Sequence, residues 1–239
     1  MTAGTSLTEL VRDPRGPAGA LAATTFGAVA RLRGDRALHP HGVVFAGTFR
    51  AIPVAETDAS PLFARGEERK ALIRFSRGGG LPQALPDVRG CAIRILDAHG
   101  SGRHQDLLLA SSLSAPLGRH LLLPGWGFGQ AFYSSLLPYR IGSRRLLFGA
   151  AVEGHLGGSL DEVEQALARG GRRLRLVAAA PVGGWQVVAR VDIAGKAADA
   201  QDLRFNPWVS GGGIEPLGAL NALRGPAYRA SQAASKGAH

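Results

Sequence analysis

Cysteine is almost missing from this chain. Cys91 is the only one in 239 residues, which excludes an internal disulfide and any metal site built on paired cysteines. Flanked by Gly90, Ala92 and Ile93, it reads as a small buried hydrophobe. Long apolar runs are missing as well, and a bilayer-spanning helix needs about 20 consecutive apolar residues. Residues Met1 to Pro17 lack a basic start followed by an apolar stretch, so no secretory signal is expected and the cytoplasm is the default location. Acidic residues are few, 18 Asp+Glu against 28 Lys+Arg, for a formal net charge of +10. Lysine is scarcer still: only Lys70, Lys196 and Lys236. The cations are therefore mostly arginine, whose planar fork suits carboxylates and phosphates. Basic charge alone permits nucleic-acid binding, but no stacking or groove-reading motif accompanies it, so no nucleic-acid partner is expected. Gly78-Gly79-Gly80 and Gly211-Gly212-Gly213 are not phosphate loops, because neither opens a helix with a Lys-Ser/Thr signature.

What is present is enough for one sizeable core. Hydrophobic residues make up 45% of the chain and charged residues 19%, a balance too apolar for disorder. No linker composition and no internal repeat breaks the sequence, so a single domain over 1–239 is expected. Ser6 to Glu9 has capping-box spacing and could open a short helix ending at Asp13-Pro14. Ala18 to Leu32, closed by Gly34, has helical spacing. Alternation from His41 to about Ile52 predicts a strand, with Val43, Phe45 and Gly47 on one face and Val44, Ala46 and Thr48 on the other. Ser60-Pro61 marks a helix start. Lys70 to Phe75, Gly90 to Leu96 and Asp106 to Ala110 predict three closely spaced strands. Leu117 to Leu147 yields no assignment beyond loop and short helix. Leu160 to Ala168 predicts a helix with Asp161 and Glu162 in its first turn. Arg172 to Ala180 and Trp185 to Ile193 predict a hairpin turning at Pro181 to Gly184. Strands without helices between them favour an antiparallel sheet or barrel, and the helices make the class α+β.

Two constellations carry chemistry. His39 stands just before the first strand, with Arg36 three residues upstream, so an acid/base group held by a sheet lies near a cation. Near the other end, Leu217 to about Ala233 predicts a helix in which Arg224 and Tyr228 share a face. A guanidinium beside a phenol favours the phenolate, and tyrosinate is an axial ligand of haem iron.

At these residues the chain resembles the catalase family, in a short form that keeps the barrel core. Arg36-Ala37-Leu38-His39-Pro40-His41-Gly42 resembles the R-x-V-H-A-K-G segment. Ile73-Arg74-Phe75-Ser76 resembles V-R-F-S. Val88 to Arg94, then Asp106-Leu107, resembles V-R-D-P-R-G-F-A-V-K and the later W-D-L. Phe205-Asn206-Pro207, Gly213-Ile214-Glu215-Pro216 and Arg224-x-x-x-Tyr228 resemble F-[ND]-P, G-I-E-P and R-x-x-x-Y. The matches cover roughly residues 30–115 and 200–230, in family order.

The resemblance implies a catalase-like antiparallel β-barrel with flanking helices, binding haem b and acting as a haem peroxidase on hydrogen peroxide or organic hydroperoxides with a reductant. His39 would be the distal acid/base and Tyr228 the iron ligand, kept anionic by Arg224. Arg36 and Arg74 match positions that bind the haem propionates. Ser76 and Arg89 match positions that line or support the cofactor region. The family pattern leaves a homo-oligomer open. The chain also departs from it: His41 replaces the lysine of H-A-K-G, and Ala110 takes the place of the distal asparagine, with Ser111 or Ser112 usable only after a shift. That departure implies weak disproportionation of hydrogen peroxide.

Other readings of the same residues stand beside these. A lone histidine at a strand start also serves structurally, Arg224 and Tyr228 could be a helix-surface pair, and Arg74 and Arg94 could be solvated outward residues. His39-Pro40-His41 could hold a non-haem metal, although no Glu or Asp follows at useful spacing. A relative that rearranges hydroperoxides, as allene-oxide-forming enzymes do, or a fold that has lost haem, would keep the same barrel.

Overall fold

Alternating apolar positions build a closed cylinder. The computed structural model describes residues 41–78, 85–200 and 203–217. Its long strands are β1 (His41–Ala51), β2 (Glu68–Arg77), β3 (Arg89–Ile95), β4 (Gln105–Ser112), β7 (Arg144–Val152), β8 (Arg172–Ala179) and β9 (Gln186–Lys196). Three short strands join them: β5 (Phe132–Ser134), β6 (Tyr139–Ile141) and β10 (Ile214–Pro216). Neighbours run β7-β5-β4-β3-β2-β1-β9-β8, and β8 pairs back onto β7, so eight antiparallel strands form a barrel without a free edge. β6 and β10 extend from β7 as a side flap.

The faces follow the period of two. Val43, Phe45, Phe49, Ile73, Phe75, Ile93, Ile95, Leu107, Phe148, Leu174, Leu176 and Val191 point inward and are buried. Aromatic rings link across this core. Phe75 lies 6.2 Å from Phe45, 6.0 Å from Phe128 and 6.4 Å from Tyr133 between ring centres. Each such ring contributes about 1.5–3 kcal/mol by burial. Gly47 is required where β1 crosses β9, because a Cβ there would lie 2.6 Å from the Asp192 carbonyl oxygen and 2.7 Å from Ile73 Cδ1. Next to it, the β1–β9 register shifts between Phe45 and Gly47, as a bulge that bends the sheet.

Two α-helices lie among the described residues. α1 (Pro61–Ala64) starts at Pro61 and inserts Leu62 and Phe63 into the core. Phe63 stacks on Phe148 at 5.7 Å. α2 (Leu160–Ala168) has the expected bounds and buries Val163, Ala166 and Leu167. It opens with a full capping box, in which Ser159 accepts from the Glu162 amide at 3.1 Å and Glu162 accepts from the Ser159 amide at 3.2 Å.

The stretch from Leu117 to Leu147, unassigned from sequence, holds a 3₁₀ turn (Gly118–His120), β5, β6 and the start of β7. Its strands are three residues long and its glycines frequent, so periodicity had too little length to register. Cys91 is buried in the core as expected, and burial raises its thiol pKa. The helices expected before residue 41 and after residue 217 lie outside the described residues.

Candidate functional site

The outer face of the barrel at the N-terminal end of β1 is built from small side chains. Strand registers place Gly42 opposite Ser76, Ser76 opposite Gly90, Gly90 opposite Ala110, and Ala110 opposite Ser134. Five neighbouring strands thus contribute one row of glycine, alanine and serine. The next row is Val44, Arg74, Ala92 and Leu108. Arg74 leans across to Gly42, where a Cβ would lie 2.7 Å from the guanidinium carbon. Glycine at 42 is what lets the arginine lie flat against the sheet. Burial lowers the Arg74 pKa, yet an arginine remains a cation. A low platform beside a fixed guanidinium can accept a flat group carrying carboxylates.

Arg74 and Ser76, assigned from one motif, share this face with Ala110, assigned from another. Ser76 is 4% exposed. In sequence, His39 precedes His41, the first residue of β1, by two positions. Arg36, His39, Arg224 and Tyr228 lie outside the described residues.

Arg89 is not on this face. It pairs with Arg77 on the inner side of the sheet. Its guanidinium lies 4.8 Å from the Phe128 ring centre and donates to the Trp126 carbonyl at 3.2 Å. Its Nε and Nη1 find no hydrogen-bond acceptor among the described residues. Burial, then repulsion from Arg77, lowers its pKa, while Asp87 and Tyr133 oppose this. Arg89 therefore closes the end of the barrel core.

Register also decides position 110. Ser111 faces inward and its hydroxyl is engaged, accepting from the Arg89 amide at 3.0 Å and donating to the Leu123 carbonyl at 2.6 Å. Ser112 faces outward again but donates to the Leu113 carbonyl at 3.2 Å. Ala110 keeps its place between Gly90 and Ser134 without a shift.

The sequence reading missed a clamp on the same outer face. Arg94, open to a solvated reading, is buried. It grips Asp106 with two hydrogen bonds of 2.6 Å from Nε and Nη2. The pair is cross-strand in register. Arg94 also donates to the Arg204 carbonyl at 2.8 Å and lies 5.2 Å from the Phe205 ring centre. Asp106 accepts from the Asn206 amide at 2.8 Å. The Phe205-Asn206-Pro207 segment is thus pinned to the sheet by a buried ion pair. Gln105 holds the following loop, accepting from Ser210 Oγ at 3.1 Å and sharing a 3.0 Å bond with His99 Nε2. The available signal was the match of both segments to one family pattern.

Among the described residues, no three His, Cys, Asp or Glu side chains gather as a metal site, and no helix is long and apolar enough to cross a membrane. No protein-family model matches the chain. A fungal catalase shares the fold with a TM-score of 0.61 and 13% identity, over 80% of this chain and 57% of that one. Catalase A from Saccharomyces cerevisiae follows with a TM-score of 0.59 and 12% identity, over 77% and 57%.

The barrel is catalase-like.

A curated relative, the catalase-related peroxidase of Mycolicibacterium paratuberculosis, is 39% identical over 71 residues, covering 28% of this chain and 23% of its own length. The catalase-like barrel here therefore spans a little over half of each solved catalase, and its sequence match spans about a quarter of the curated relative.

Proposed function

We propose that this catalase-like chain is a haem-dependent peroxidase acting on peroxides at the outer face of β1 to β4. The observation that carries the reading is the common face of Arg74, Ser76 and Ala110, next to the strand that follows His39 in sequence. The residues fit the cofactor: a row of glycine, serine and alanine leaves room for a flat macrocycle, and Arg74 over Gly42 supplies a cation for a propionate. When bound, haem supplies a redox-active iron at which the O–O bond of a peroxide is cleaved.

The chain's own residues do the rest. In this reading Arg36 and Arg74 orient the cofactor through its carboxylates. Tyr228 is the iron ligand, and Arg224 favours its phenolate form. His39 would act as the acid/base that takes a proton from one peroxide oxygen and returns it to the other. Ser76 lines the platform beside Arg74. Arg89, on the inner face, supports the sheet from below instead of touching the cofactor. A small peroxide and an organic reductant are the partners, and the cytoplasm is the proposed site of action.

The test is an absorption spectrum after reconstitution with haem b. A Soret band with high-spin ferric features is expected for the wild-type chain, and Tyr228→Phe should lose or strongly weaken it. A Tyr228→Phe spectrum identical to wild type would remove Tyr228 as ligand. No uptake by the wild-type chain would remove the haem reading.

A further inference from the structure

Six of the eight exposed large apolar side chains among the described residues stand at one rim of the barrel. They are Leu85, Leu113, Leu117, Leu121, Leu123 and Trp126; Trp126 is 66% exposed and Leu117 63%. The rim is the end of the barrel where β4 finishes at Ser112 and β3 begins at Arg89. Leu113 follows Ser112 directly. The chain then folds back beside it, since a Cβ at Gly118 would lie 2.5 Å from Leu113 Cβ. Leu85 leads into Asp87, whose backbone exchanges hydrogen bonds of 3.2 and 3.0 Å with Gly125. Single exposed leucines are ordinary, but a gathering of this kind marks an interaction surface.

The backbone under these side chains is fixed. The Leu123 amide donates to the Ser111 carbonyl at 2.8 Å, and the Ser111 hydroxyl donates back to the Leu123 carbonyl at 2.6 Å. The Trp126 carbonyl accepts from Arg89 at 3.2 Å. Leu122 packs inward on the buried cluster of Ala110, Leu136 and Leu137. Leu136 there has φ 61°, and its carbonyl oxygen lies 3.0 Å from His120 Nδ1. Leu121 and Leu123, on either side of Leu122, are exposed. The apolar side chains are thus presented on a preformed ridge, and docking them needs little further ordering.

Polar recognition groups are scarce on this ridge. Arg119 is buried, its guanidinium 4.2 Å from the Trp185 ring centre, and His120 is taken up by the Leu136 carbonyl. A folded protein partner is matched through a polar rim around an apolar centre, whereas a fluid bilayer needs no such match. Charge favours an anionic one. No Asp or Glu occurs between Asp106 and Glu153, while Arg119, Arg140, Arg144 and Arg145 do. Asp87, at the rim itself, is buried 3.5 Å from Arg77 Nε. Glu162, across Gly158 from Trp126, serves the Gly158 and Ser159 amides. The chain as a whole carries +10, which draws it to anionic headgroups. Leucine suits the acyl boundary and indole the headgroup level. We propose that this rim is a membrane-docking surface that seats the chain on a bilayer containing anionic lipid. The surface stands independently of the haem-peroxidase reading.

The test is sedimentation of the full chain with vesicles of phosphatidylcholine, alone or mixed with phosphatidylglycerol. The wild-type chain should sediment with the mixed vesicles, and its tryptophan emission should shift to the blue. The triple variant Leu117→Ser/Leu123→Ser/Trp126→Ser should bind them about tenfold or more weakly, because three apolar side chains no longer bury. Trp126→Phe should keep most of the binding and lose the emission shift. Trp208→Phe, placed beside the opposite end of β4 where Val209 meets Asp106, should keep both. Trp126→Ser alone repeats the test if the triple variant does not fold. A wild-type chain that leaves both vesicle types in the supernatant overturns the proposal. Binding that salt abolishes and the triple variant retains overturns it too, since bare charge then accounts for it. A wild-type dimer made monomeric by the triple variant, without vesicle binding, makes the rim a contact between two copies and overturns the membrane as its occupant.

Discussion

β3 carries two arginines with opposite fates. Arg89 and Arg94 are both nearly fully buried, at 1% and 8% exposure. Arg94, on the outer face, meets Asp106 in a two-pronged ion pair and binds the 204–206 segment. Arg89, on the inner face, has an aromatic ring, one carbonyl and a distant Asp87 shared with Arg77. A buried charge is tolerable when paired and costly when not. The outer face therefore concentrates specific polar chemistry, and the inner face concentrates packing. The same division separates Arg74 and Ser76 from Phe75 between them.

The largest expected effect tests the outer face as the reactive one. His39→Ala should keep the haem spectrum but slow peroxide turnover by ~10²–10⁴, the usual contribution of a general acid/base. Stopped-flow mixing with an alkyl hydroperoxide measures this; a normal rate in His39→Ala, with a crippled His41→Ala, would move the role to His41.

Next comes the clamp. Asp106→Ala leaves Arg94 buried and alone, which should cost about 3–5 kcal/mol in urea unfolding. The double change Arg94→Met/Asp106→Leu should recover most of that, since well-packed apolar residues replace buried pairs at little cost. Equal losses in single and double variants would show that the pair acts through the 204–206 segment alone.

A smaller effect is expected inside the barrel. Arg89→Met keeps volume and removes a poorly paired charge, so stability should change by about 1 kcal/mol or less, or rise. Haem uptake should be unchanged, whereas Arg74→Met should weaken it. If Arg89→Met loses haem and Arg74→Met does not, the division between the two faces is drawn the wrong way round.

The smallest effect is in pH dependence. Glu162 accepts amide bonds from Gly158 and Ser159, and these hold its pKa below the ordinary value of 4.5. Its folded pKa is depressed, so its contribution is complete above that value and is lost as pH falls through the lower folded one. Glu162→Gln should flatten the acid limb of a melting-temperature profile below about pH 4.5 and leave neutral pH nearly unchanged. An acid limb identical to wild type would remove the capping box as a source of acid sensitivity.

Much of the barrel was legible in the chain because strands announce themselves locally. The alternation in His41–Ala51, the K-A-L-I-R-F run and the Arg172–Ala179 hairpin strand need only neighbouring residues to be read. α2 was legible through Ser159, Asp161 and Glu162, whose capping is local too. The segment around β5 and β6 was not, because three-residue strands carry less than one full alternation beyond chance. Of the site residues, the resemblance assigned Arg74 to a haem propionate and Ser76 and Arg89 to the cofactor region or its supports. The structure keeps the first two on one face and sends Arg89 to the other.

By itself, then, the sequence determined the strand-rich class, the exclusion of an internal disulfide, the alternation that opposes Arg74 to Phe75, and the motif order that resembles catalases. The tertiary structure decided which side of each strand faces the core, because parity says only that neighbours oppose one another and barrel closure of β7 on β8 chooses the inside. It also decided that Arg94 meets Asp106, that Ser111 is engaged inside while Ala110 stays on the outer row, and that a left-handed leucine, Leu136, joins that alanine in one buried cluster. Each of these depends on register between strands distant in sequence, a quantity that no local pattern of residues encodes.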